Sequence, residues 1–102
     1  MEQVKIVQTE GQELHVALSG DIDLGNAEAF LNEVLEAYHA SPKNIAFDCE
    51  ELQFIDSTTL GTFVKILKML KIGGKSLSIV SLQPKIKKLF LICALDKVME
   101  IA

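Results

Sequence analysis

The spacing of apolar residues changes period several times along the chain, and this alternation restricts the fold more than any other feature. Residues 4–7 and 14–18 are short β-branched or alternating runs on either side of Gly11, which predicts a hairpin with a turn of about three to five residues. Leu14, Val16 and Leu18 would share its buried face, with His15 turned outward. Over residues 26–40 the period becomes helical: Ala27, Phe30, Leu31, Val34 and Tyr38 fall on one side, and Glu28, Glu33 and Glu36 on the other. Asn26 is positioned to cap this helix.

The alternation continues to the end of the chain. Residues 44–49 read as a strand with Ile45, Phe47 and Cys49 on one face, and residues 57–72 as a helix with a stripe of Leu60, Phe63, Val64, Leu67 and Leu70 and with Lys65, Lys68 and Lys71 outside it. Gly73-Gly74 would stop that helix in a left-handed turn. Residues 77–82 form a further strand, and Pro84 opens a third helix whose apolar face is Ile86, Leu89, Phe90 and Cys93. A short strand over residues 98–101 closes the chain. The order β-β-α-β-α-β-α-β predicts one α/β domain over residues 1–102: a mixed sheet of four to five strands, right-handed crossovers, and three to four helices mainly on one face. A chain of 102 residues, 49% hydrophobic and 24% charged, suits a single core.

Charge is divided unevenly. Residues 1–51 hold eleven acids against two lysines, a net −9, and residues 52–102 hold three acids against eight lysines, a net +5. All ten basic residues are lysine. Without arginine the planar fork that grips phosphate is missing, and the overall −4 repels polyanions, so no nucleic-acid partner is expected, the Lys85, Lys87 and Lys88 group being read as a solvated helix face. The first residues lack a basic flank followed by an apolar core. The longest apolar run, residues 89–95, is far shorter than the roughly 20 residues of a membrane helix. A cytoplasmic protein without membrane association is expected. Cys49 and Cys93 lack the spacing of a redox or zinc site and read as small buried hydrophobes, and no metal or cofactor is expected at His15 or His39.

Chemistry concentrates at one junction. Asp56, Ser57, Thr58 and Thr59 bunch where an extended segment becomes the second helix. The first-turn N–H groups of a helix lack internal partners and the dipole is positive there, so the place favours an anion. Taken locally, this is a capping pattern. No GxSxG elbow surrounds Ser57, so no catalytic residue is assigned; a small serine hydrolase would need His15 or His39 beside Ser57.

The wider pattern points further. Phe54-Ile55-Asp56-Ser57-Thr58-Thr59-Leu60-Gly61 resembles the Asp-Ser-Ser/Thr-Gly-Leu-Gly signature of STAS domains of the anti-sigma factor antagonist type. Leu18-Ser19-Gly20-Asp21-Ile22-Asp23 resembles that family's loop before its first helix, and Ile72-Gly73-Gly74-Lys75 its exit from the second. Ile86-Lys87-Lys88-Leu89-Phe90 and Leu95-Asp96-Lys97-Val98 resemble its third helix and last strand. Nearly the whole chain is covered.

The resemblance implies a bacterial partner switch without catalytic activity. Such a protein binds an anti-sigma factor when unphosphorylated, which frees the sigma factor. The anti-sigma factor is also a GHKL-type serine kinase, and a PP2C-type phosphatase reverses its modification. Carried over, the phosphorylated serine is Ser57, with Thr58 as the alternative acceptor. The binding face would comprise Asp21, Asp23 and Asn26 with Asp56, Thr58, Thr59 and Gly61. Two departures stand out. Thr59 replaces the usual Gly or Ala, and its β-branched bulk would either crowd the approach to Ser57 or be harmless. The C-terminal helix or tail of many relatives is expected to be short or missing after Ala102, which leaves a weak homodimer open. A STAS scaffold subunit of a stress-sensing or lipid-transport assembly is the alternative role.

Overall fold

Four phenylalanines from four elements meet at the centre of the molecule. In the computed structural model, which describes residues 1–8, 11 and 13–102, Phe63 lies edge-on to Phe30, Phe47 and Phe90 at centroid separations of 5.4, 5.2 and 5.3 Å. All four rings are fully buried. Edge-to-face packing of this kind adds to the burial of each ring, which is itself worth about 1.5–3 kcal/mol.

The elements are β1 (Val4–Gln8), β2 (Glu13–Ile22), α1 (Ala27–Ala40), β3 (Asn44–Ile55), α2 (Ser57–Ile72), β4 (Leu77–Val80), α3 (Pro84–Ile92), a 3-10 turn (Leu95–Lys97) and β5 (Glu100–Ile101). They form one five-stranded sheet in the order β1-β2-β3-β4-β5, with β1 antiparallel to β2 and the other pairs parallel. This is the expected mixed α/β architecture. Phe30 of α1, Phe63 of α2 and Phe90 of α3 share one core with the inward residues of the sheet, so the helices cover the same face. β1 and β2 pair antiparallel as the predicted hairpin requires; of the turn expected around Gly11, residues 9, 10 and 12 lie outside the described residues.

Several boundaries differ from the sequence reading. β3 runs to Ile55 because it carries two irregularities: one extra residue between the Ala17–Asp48 and Ser19–Glu51 pairs, another between Gly20–Leu52 and Asp21–Phe54. The buried positions are therefore Ile45, Phe47, Cys49, Leu52 and Ile55, an alternation broken twice. β4 stops at Val80 because Ser81 takes a φ of 63°. The 3-10 turn absorbs the approach to β5, leaving that strand two residues long.

Helix faces also rotate. In α2 the buried set is Thr59, Thr62, Phe63, Ile66, Leu67 and Leu70, with Leu60 and Val64 half-buried. Two buried threonines turn the stripe toward Ile66. In α3 only Ile86 and Phe90 are buried; the helix ends at Ile92, so Cys93 lies beyond it and is exposed. Only Cys49 is the buried thiol that was expected. Burial, and then the neighbouring Asp48 charge, push its pKa from 9.0 up to about 12.

The exit of α2 follows the glycine reading. Gly74 sits at φ 71°, and the N–H groups of Gly74 and Lys75 donate to the carbonyls of Lys71 (3.1 Å) and Leu70 (2.8 Å). These paired bonds are a Schellman closure. Gly73 is required for a different reason, because a Cβ there would collide with the hydroxyl of Tyr38 on α1.

Candidate functional site at the head of the second helix

Parallel pairing of β2 with β3 decides what lies near Ser57. With Asp21 beside Phe54 and Ile22 beside Ile55, both strands finish at the same edge of the sheet. The loop after β2 and the first turn of α2 are therefore neighbours, at the carboxyl end of parallel strands, where open α/β sheets commonly bind.

Asp56 is the N-cap of α2 and has an extended backbone. One carboxylate oxygen, Oδ1, accepts from the Thr59 N–H at 3.0 Å, satisfying an orphan donor of the first turn. The other, Oδ2, accepts from the N–H of Leu24 at 2.9 Å. Asp56 thus joins the two segments as well as capping the helix. The Thr59 N–H, opposed by desolvation and then aided by the Leu24 N–H, holds the Asp56 carboxyl below its ordinary pKa.

Thr59 decides between the two alternatives that its bulk leaves open. Its side chain is fully buried, and Oγ1 donates to the Ile22 carbonyl at 2.5 Å, with a second, longer contact to Asp56 Oδ1 at 3.1 Å. It points away from Ser57 and cannot crowd it. Instead it ties the last residue of β2 to the first turn of α2. Hydrophobicity patterning misses this because threonine counts as polar, yet its hydroxyl is satisfied by a strand-end carbonyl.

The loop is bonded within itself. The Asp23 N–H donates to Asn26 Oδ1 (2.8 Å), Asn26 Nδ2 to the Asp21 carbonyl (3.0 Å), and the Gly25 N–H to Asp23 Oδ1 (2.9 Å). Asn26 occupies the N-cap position of α1 but makes no side-chain cap bond. Its amide is engaged in closing the loop, so the expected capping role is replaced by a bracing one. At the tip stands Leu24, 76% exposed. Its signal in the sequence is a large apolar residue within a polar loop, which motif and periodicity do not mark.

Ser57 and Thr58 are both exposed at the first turn. Gly61 lies one turn beyond Ser57 on the same side of the helix, exposed and with open space where a Cβ would project. Between α1 and α2 runs a groove of about 320 Å³, with Leu24, Glu28 and Leu31 on one side and Thr58, Thr62 and Lys65 on the other. Asp21 is exposed and Asp23 half-buried at the loop, so four acids, with Glu28 and Asp56, lie around this end.

Neither histidine can serve Ser57. His39 is in the last turn of α1, thirteen residues from Asn26 or about 20 Å along the axis, and His15 lies on β2 opposite Val7, seven residues before Ile22. Among the described residues no three His, Cys, Asp or Glu side chains are grouped to hold a metal ion, and no helix is long and apolar enough to cross a membrane.

Comparison with known proteins agrees with this geometry. The STAS domain family matches residues 3–102. The chain is 30% identical to the anti-sigma-B factor antagonist of Bacillus subtilis (strain 168) over 97% of its own length and 89% of the relative's. An anti-sigma factor antagonist from Mycobacterium paratuberculosis superposes with a TM-score of 0.84 at 19% identity, covering 96% of this chain and 82% of that one. The Bacillus cell fate determinant SpoIIAA in its phosphorylated form does so at 0.76 and 19%, covering 97% and 90%. At those identities the two structures speak for the fold alone. The chain belongs to the STAS domain family, and its relatives there include anti-sigma factor antagonists.

Proposed function

We propose that this protein is an anti-sigma factor antagonist: unphosphorylated, it docks on an anti-sigma factor and releases the sigma factor, and phosphorylation of Ser57 ends the docking. It acts by binding and is not an enzyme. The observation that carries the proposal is Ser57 itself, exposed at the first position of α2 and directly after an aspartate bonded to both the helix and the β2–α1 loop. The modifying enzyme is the anti-sigma factor acting as a GHKL-type serine kinase, and a PP2C-type phosphatase restores the active form. Thr58 is the secondary acceptor.

The physical basis is local. A phosphate adds about −1.5 to −2 charge at a helix N-terminus, where the dipole and free N–H groups tolerate it, so the fold need not rearrange. The partner meets that charge beside Asp21, Asp23 and Asp56, and repulsion with incomplete desolvation ends docking. The docking face comprises the loop with Asp21, Asp23, Leu24 and Asn26, together with Thr58 and the clear space above Gly61. Thr59 supports it from within.

The test is binding to the partner anti-sigma factor by calorimetry. Ser57→Asp should weaken affinity by about tenfold or more, the effect of about 1.4 kcal/mol of repulsion, with Tm unchanged. Unimpaired binding would contradict the charge switch.

A further inference from the structure

The closure of α2 gathers charge at the end of the helix far from Ser57. Because the Lys75 N–H folds back onto the Leu70 carbonyl, Lys75 returns beside the last turn, and Lys71 and Lys75 line one cavity of about 230 Å³. Lys97, from the 3-10 turn, lines it too. The floor is apolar, with Leu67 and Met99 each 5% exposed, and Val98, 44% exposed, is also in the lining. Glu100 is the one acid in the lining, so the cavity carries a net +2 on a chain of net −4. Among the described residues none of the three lysine side chains has an ion-pair or hydrogen-bond partner.

Three lysines drawn from three segments line one hollow with a single acid, so the hollow is electropositive and favours an anion. A net +2 matches a dianion. Lysine binds phosphate as a point charge without needing a planar fork, and the two negative charges of a phosphate monoester match the net +2 better than the single charge of a carboxylate. The apolar floor favours a ligand with a small hydrophobic body, and the volume is below the roughly 300 Å³ at which drug-sized sites begin. We infer that this cavity binds a small soluble phosphate monoester whose phosphate is held by Lys71, Lys75 and Lys97 and whose apolar part lies on Leu67 and Val98. Ser57 heads the same sixteen-residue helix, about 21 Å from Lys71 along its axis, so the ligand does not touch the docking face. The assignment is independent of the switch at Ser57.

Amide shift mapping of the full chain by NMR tests it, with phenyl phosphate, inorganic phosphate and benzoate as probes. Phenyl phosphate should shift and saturate the amides of Lys71, Lys75, Lys97 and Val98, binding more tightly than inorganic phosphate, with benzoate weakest. The Lys71→Gln/Lys97→Gln variant, altered only at exposed side chains, should keep its Tm and lose about tenfold in affinity, as expected for removal of two charge-assisted contacts. Equal shifts at Lys85, Lys87 and Lys88, binding unaltered in the variant, or binding to phosphatidic acid vesicles but not to phenyl phosphate would each overturn the assignment.

Discussion

The carboxylate of Asp56 accepts a hydrogen bond from the backbone N–H of Leu24, 32 residues earlier, at 2.9 Å. One side chain therefore sets both the start of the helix that bears Ser57 and the position of the neighbouring loop. Replacing Asp56 with Ala should lower Tm and speed hydrogen exchange at the Leu24 and Thr59 amides together. Exchange that rises at Thr59 alone would reduce Asp56 to a simple cap.

The same contact dictates the response to acid. The Asp56 pKa is lowered in the folded state, chiefly by the Thr59 N–H, so its contribution is present above the unfolded carboxylate pKa of about 3.9 and is lost as pH falls through the folded value. Urea unfolding from pH 6 downward should show a smaller acid loss in Asp56→Asn than in the parent. Parallel curves would remove Asp56 from the acid limb.

Thr59 offers a sharper stability test, because its hydroxyl is buried against the Ile22 carbonyl. Thr59→Val keeps the shape and leaves that carbonyl without its donor, at a cost of about 1–3 kcal/mol, whereas Thr59→Ser should recover the hydrogen-bond part of the loss. Denaturant midpoints for the pair decide it. Equal destabilisation by Val and Ser would assign the role to packing.

Gly61 is predicted to trade stability for access. It lies within a helix, its φ is not positive, and a Cβ meets nothing, so Gly61→Ala should stabilise the fold by about 0.5–1 kcal/mol. Gly61→Leu should weaken anti-sigma factor binding, since the added side chain fills the space above Ser57. Thermal unfolding and calorimetry separate the two effects.

Cys49 and Cys93 should differ in reactivity. Cys93 is exposed, while Cys49 is fully buried with its pKa pushed up to about 12. One thiol should react with an aromatic disulfide in the native state and two in denaturant. The raised pKa favours the folded state fully below the unfolded value of 9.0, and that contribution is lost as pH rises toward 12, so Cys49→Ala should flatten the alkaline limb of stability.

Much of the architecture is legible in the sequence because α1 and α2 are amphipathic and clearly ended. Both bounds of α2, Ser57 and Ile72, coincide with the reading, set by the Asp56 cap and the Gly73-Gly74 exit. Beyond that, local pattern loses force. The two irregularities in β3 break the alternation that would have extended the strand, and Cys93 falls past the end of α3, where helical spacing no longer applies. Motif comparison located the segment around Ser57, but the inward turn of Thr59, the bracing by Asn26 and the exposed Leu24 depend on contacts between β2 and α2 that no local window contains.

The most direct measurement is phosphate mapping by mass spectrometry after incubation with ATP and the partner anti-sigma factor kinase, paired with binding of the modified and unmodified protein. The account predicts one phosphate on Ser57, none on Ser57→Ala, and docking by the unmodified form alone. Phosphate that persists in Ser57→Ala, or equal docking by both forms, would contradict it.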